Sequence, residues 1–96
     1  MASRLWNREA DELLSSILTL ESVSEARRFF RDLMTEDEIR MIVDRWQVAR
    51  MLYDGRTYRQ IAEDTGLSSR TIARISRWIK TGKGGYRHML AHHHPE

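Results

Sequence analysis

The sequence predicts an all-α protein built around a helix-turn-helix, and three observations predict it. The single proline stands at position 95, so nothing breaks a helix before the end of the chain. Apolar residues recur at three- and four-residue steps, and no stretch alternates apolar and polar residues as a strand does. Within residues 57–79, two short apolar faces flank a glycine, the pattern of two helices joined by a tight turn.

Taken in order, Leu5, Leu13, Leu14, Ile17, Leu18 and Leu20 predict a first helix, interrupted at Glu21 and Ser22. Ser22 with Glu25 has the spacing of a capping box, and the helix it opens is expected to bury Ala26, Phe29, Phe30 and Leu33. Thr35 with Glu38 is a second capping box, and Glu36 and Asp37 add acids where the helix dipole favours them. Ile39, Ile42, Val43, Trp46, Ala49, Leu52 and Tyr53 then mark the longest periodic segment, a central helix ended by Asp54-Gly55. Thr57 with Gln60 opens a short helix with Tyr58, Ile61 and Ala62 on its apolar face, and Thr65-Gly66 stops it. Ser68 caps the next, which carries Ile72, Ile75, Trp78 and Ile79 and ends at Gly82. Residues 82–96, with three glycines, a histidine cluster and the proline, read as irregular chain. Five or six helices are expected.

Length and composition narrow the function. Ninety-six residues predict one domain, taken as residues 1–87, followed by a flexible His-rich tail at 88–96. A core this thin favours pairing with a second copy. The absence of cysteine excludes disulfides, thiolate zinc sites and cysteine nucleophiles. No apolar run has the length of a membrane span, and acids occupy the first fifteen residues where a signal peptide is apolar, so the cytoplasm or nucleoid is the expected location. The formal charge of +2 is unevenly spread. Residues 1–54 hold eight Arg against eleven Asp and Glu, a net of −3, whereas residues 55–87 hold eight Arg and Lys against Glu63 and Asp64, a net of +6. A basic segment beside an acidic one is the pattern of a polyanion reader with a separate structural half.

The basic segment coincides with the helix-turn-helix. Ala62 is small where the second helix crosses, Gly66 reverses the chain, Leu67 plugs the corner, and Ile72 and Ile75 return the second helix onto the first. In this geometry the start of the second helix enters the major groove of double-stranded DNA. Ser69, Arg70 and Ala73 are then nearest the base edges, with Arg70 suited to a bidentate contact with guanine. Arg56, Arg59, Ser68, Thr71, Arg77 and Lys80 are the expected phosphate contacts, with capping as the alternative for Ser68 and a solvated surface charge as the alternative for each cation.

These residues also carry a resemblance. The run from Leu33 to Tyr86 is similar to the bacterial tryptophan repressor family, particularly its small YerC/YecD-type branch, through Met34-Thr35-Glu36-Asp37-Glu38 to Arg45, Leu52-Tyr53-Asp54-Gly55, and Gly66 with Thr71-Ile72-Ala73-Arg74. Residues 1–32 share only helical character. The resemblance implies an intertwined, all-helical homodimer whose N-terminal helices wrap the other chain, and a transcriptional repressor acting on a near-palindromic operator. It also implies a candidate effector pocket, because the family's tryptophan corepressor is held by two arginines and a threonine whose counterparts are Arg45, Arg74 and Thr35. The match fails beside them. Ile75 stands where the family has a glycine, and Trp78 where it has a small polar residue. Overpacking a closed site costs about 1–3 kcal/mol, so no cofactor is expected and L-tryptophan is disfavoured.

The remaining features read as structural. Trp6, Trp46 and Trp78 serve as core or interface anchors, and Glu9, Asp11 and Glu12 as a solvated helix face with no partner for catalysis, so no enzymatic activity is expected. His88, His92, His93 and His94 are metal-binding residue types, but they fall in the segment read as irregular and are taken as incidental, with no metal site assigned. Two alternatives accompany the repressor reading: a nucleoid or RNA-contacting protein without selectivity, and a helical interaction module that no longer reads DNA.

Overall fold

The computed structural model describes residues 4–92. They form six helices: α1 (Arg8–Ile17), α2 (Val23–Leu33), α3 (Glu36–Tyr53), α4 (Tyr58–Thr65), α5 (Ser69–Thr81) and α6 (Gly85–His92). The chain divides into two compact units between Ile39 and Arg40. No helix among the described residues is long and apolar enough to cross a membrane.

In the first unit the helix starts follow local hydrogen-bond chemistry. Asn7 caps α1 by accepting the Ala10 N–H at 2.8 Å. Leu5, Leu18 and Leu20, read with this helix from their apolar character, lie outside it. Ser22 caps α2 through the Glu25 N–H at 3.1 Å, but the Glu25 carboxylate reaches back to the Glu21 N–H, one residue before the cap. Thr35 and Glu38 complete both arms of their box at 3.2 and 2.8 Å. Phe29 and Phe30 meet edge to face, 5.8 Å between centroids. They are only half-buried, Leu33 is exposed, and none of residues 4–39 is fully buried.

The second unit holds the core. Val48, Ala49 and Met51 of α3, Ile61 of α4, Ile72 and Ile75 of α5 and Leu90 of α6 form one buried cluster, with Leu52, Ala62, Leu67 and Ile79 packed around it. Full burial of each large apolar side chain here stabilises by about 1.5–3 kcal/mol. The face of α3 that is buried differs from the expected stripe. Ile42, Val43 and Tyr53 are exposed, while Val48 and Met51, which the periodicity passed over, are covered. The cause is that the core takes residues only from the last turns of α3, on the face that meets this cluster.

The turn between α4 and α5 is built as the sequence indicates. Thr57 and Gln60 form a complete capping box. Gly66 ends α4 in the left-handed region at φ 74°, donating its N–H to the Ala62 carbonyl at 2.9 Å. Thr65 tightens the corner, its hydroxyl donating to the Ile61 carbonyl at 2.7 Å and accepting the Leu67 N–H at 3.2 Å. At the other end of α5, a Cβ on Gly82 would run into the Trp78 carbonyl oxygen, so no side chain fits there without opening the last turn.

The segment read as irregular from residue 82 instead forms α6 as far as His92, and the helix also crosses the expected domain boundary at 87/88. Tertiary contacts hold it. Leu90 is buried in the core, and the Tyr86 ring stacks on Trp46 with planes 5° apart. Arg87 Nη2 donates to the Ile79 and Lys80 carbonyls at 3.2 and 2.7 Å, satisfying acceptors that the end of α5 leaves open. His93, His94 and the rest of the expected tail lie outside the described residues.

Candidate nucleic-acid interface

α5 has two faces with different tasks. Ile72, Ile75 and Ser76 are buried, and Ile79 is half-buried beside them. Ser69, Arg70, Ala73, Arg74, Arg77 and Lys80 are all exposed. At 3.6 residues per turn these six fall within about 140° of arc, so they share one outward face. The residues expected to read bases therefore lie together on the first turns of the helix, with Arg77 and Lys80 further along the same face. Ala73 has the smallest side chain of this row and leaves a gap between the longer ones.

The expected phosphate contacts divide into groups. Arg77 and Lys80 project from α5 into solvent. Arg56 pairs with Asp64 across the α4 segment, Nη1 to Oδ2 at 2.7 Å, with both side chains about half exposed. Arg59 pairs with Glu63 one turn on at 3.4 Å, its own side chain 90% exposed. The two acids of the basic segment are thus both engaged with its first two arginines. Ser68 acts as a cap. Its hydroxyl accepts the Thr71 N–H at 3.2 Å and lies 3.1 Å from the Thr71 hydroxyl. The i, i+4 spacing of Arg59 and Glu63 was available in the sequence; the Arg56–Asp64 pair, eight residues apart, depends on the capping turn.

Two of the three candidate effector residues come together. Arg45 and Arg74 line a pocket of about 260 Å³, together with Ile75, Trp78, Asp44 and Thr71. Ile75 is at once a wall of this pocket and a member of the core, and Asp44 brings a negative charge beside the arginines. Thr35 serves as the N-cap of α3. Asp64 and Glu38 are engaged elsewhere, with Arg56 and with the Thr35 N–H. Arg45 also acts on Tyr86, whose hydroxyl is pushed above its ordinary value of 10.0 by burial, an effect the arginine charge partly offsets. A wider cleft of about 740 Å³ opens nearby, walled by Trp46, Trp78, Tyr86 and Met89. Among the described residues, no group of three or more metal-ligating side chains is present.

Comparison with known proteins agrees with this geometry. A sequence model of the Trp repressor protein family matches residues 8–94. The uncharacterized protein YerC of Bacillus subtilis (strain 168) is 42% identical over 87 residues, covering 91% of this chain and 84% of YerC. The crystal structure of a TrpR-like protein from Eubacterium eligens superposes with a TM-score of 0.87 at 39% identity, covering 92% of this chain and 91% of that one. That of a candidate Trp repressor from Staphylococcus aureus superposes with a TM-score of 0.85 at 36% identity, covering 94% and 93%.

Proposed function

The chain belongs to the Trp repressor family, and from that premise we propose that it is a sequence-specific reader of double-stranded DNA, a transcriptional repressor acting as a homodimer. The observation that carries this reading is the outward face of α5. Ser69, Arg70 and Ala73 stand exposed at the start of a helix seated in a capped helix-turn-helix, with Arg77 and Lys80 behind them. A helix presented in this way reads base edges with its first turns and is oriented by its phosphate contacts.

Homodimer formation is supported by apolar surface a lone chain leaves open. Leu18 and Val23 are 85% and 69% exposed, and Leu14, Leu33, Ile42 and Val43 are exposed as well. Two copies are also what a near-palindromic operator requires.

DNA binding in this reading does not depend on L-tryptophan. The pocket between Arg45 and Arg74, at about 260 Å³, falls below the range of about 300–1,000 Å³ usual for small-molecule sites. Enlarging it at Ile75 removes a side chain that is only 1% exposed and belongs to the core.

The test is selection of duplexes from a random pool by the purified protein, with and without L-tryptophan. A two-fold-related consensus, the same in both arms, is expected. Enrichment only with tryptophan would overturn the effector reading. Binding without any consensus would move the protein to the non-selective class, and no binding even at low salt to the class of interaction modules.

A further inference from the structure

α6 places two histidines one turn apart. The rings of His88 and His92 lie with centroids 4.4 Å apart and planes tilted by 32°, and both residues are exposed. His92 Nδ1 is 2.7 Å from the His88 main-chain carbonyl oxygen. A carbonyl oxygen only accepts, so the proton of this bond is on Nδ1, and neutral His92 keeps its free lone pair on Nε2. Metal-binding imidazoles are held in this way, one ring nitrogen donating to a carbonyl while the other ligates. Residues at i and i+4 share a helix face, so the two imidazoles stand side by side on one face of α6. Leu90 in the core and Arg87 on the α5 carbonyls fix the helix that presents them.

We propose that His88 and His92 form a binding site for a late divalent transition-metal ion such as Zn²⁺, with water completing the coordination. The reason for taking these histidines as incidental was their place in an irregular segment, and α6 removes it. No third His, Cys, Asp or Glu among the described residues joins the pair, so the site is open and of modest affinity. A bound ion spans one turn of α6, and Arg87, the residue just before His88, caps the end of α5. The metal therefore stabilises the helix that braces the C-terminus of α5; neither the site nor this bracing rests on α5 being the reading helix.

The test titrates the full chain with ZnCl₂ by calorimetry and follows thermal unfolding in parallel, using the wild type, His88→Gln, His92→Gln and the double variant His93→Gln/His94→Gln. Both target histidines are exposed, so the variants should fold, and far-ultraviolet circular dichroism verifies it. The wild type and the double variant are expected to bind one ion per chain alike and to gain thermal stability from it. Each single variant should bind at least about tenfold more weakly, since losing even an outer-shell partner of a metal ligand has that effect. In the wild type, long-range ¹H–¹⁵N spectra should show the Nδ1–H form of His92, with its Nε2 signal moving on zinc addition. Unchanged binding in His88→Gln and His92→Gln, abolished binding in the double variant, or an unmoved Nε2 signal would each overturn the proposal.

Discussion

Replacing Asp64 with asparagine should strengthen binding to any duplex, a gain of function from removing an ion pair. In the free protein Asp64 holds Arg56 at 2.7 Å, and both side chains are about half exposed. At that separation the Coulomb attraction in water is about 1.5 kcal/mol. Side-chain ordering and salt screening reduce the net contribution of such a surface pair to about 0–1 kcal/mol. Asp64→Asn should therefore lower folding stability by no more than about 1 kcal/mol. The same change frees Arg56 for a phosphate and removes an anion from the DNA side. If all of that energy is redirected to a phosphate contact, affinity rises by up to about fivefold, since about 1.4 kcal/mol is tenfold. One additional phosphate contact steepens the dependence of log K on log salt by about 0.9. Fluorescence-anisotropy titrations of a selected and a scrambled duplex over a series of salt concentrations measure both quantities. The gain should be equal on the two duplexes. Unchanged affinity and slope would refute the phosphate role of Arg56, and a gain confined to the selected duplex would make Arg56 a base reader. Glu63→Gln is the graded comparison, expected to give a smaller gain because Arg59 is longer in its pair, at 3.4 Å, and already 90% exposed.

Other expectations follow from the same surfaces. Arg70→Ala should weaken the selected duplex by the equivalent of about 1–3 kcal/mol, the worth of a good bidentate base contact, and hardly affect scrambled DNA; equal losses on both would remove its base-reading role. Ser68→Ala should cost about 1 kcal/mol in urea denaturation because the cap of α5 is lost. Ser68→Asp should keep the cap and the stability yet weaken all duplexes, whereas a drop in stability equal to that of alanine would show that the cap is not what Ser68 supplies. Tyr86 gives a pH dependence: its folded pKa is raised, so its contribution is fully present below the unfolded value of 10.0 and is lost as pH rises through the folded one. Unfolding of Tyr86→Phe should lose that alkaline decline, and an identical decline in the variant would assign it elsewhere.

Local chemistry was the legible part of this fold. Thr57 with Gln60, Thr35 with Glu38, Ser68, Gly55 and Gly66 each act within a few residues, and each does in the structure what its type and spacing indicate. α6 was not legible because its glycines and histidines have weak helical signals, and its stability comes from partners far along the chain: Trp46 for Tyr86, the core for Leu90, and the end of α5 for Arg87. The face of α3 was misjudged for a related reason. Periodicity finds an apolar stripe but does not say how much of it one chain covers, so Val48 and Met51 are buried while Ile42 and Val43 are not. In the candidate site, the exposed row on α5 could be read from the sequence, whereas the partners that occupy Arg56 and Arg87 could not.

The lack of any fully buried side chain among residues 4–39 gives the chain two separate protection levels against hydrogen exchange. Amides of the core in α3 to α6 are shielded by contacts within one chain, so their slowest exchange is a fixed property of the molecule. Amides of α1 and α2 lie among side chains that are at most half-buried, so they are shielded less. With a homodimer as proposed, their protection rises and falls with protein concentration, and on dilution the first two helices would spend part of their time open to proteases while the proposed reading helix stays folded.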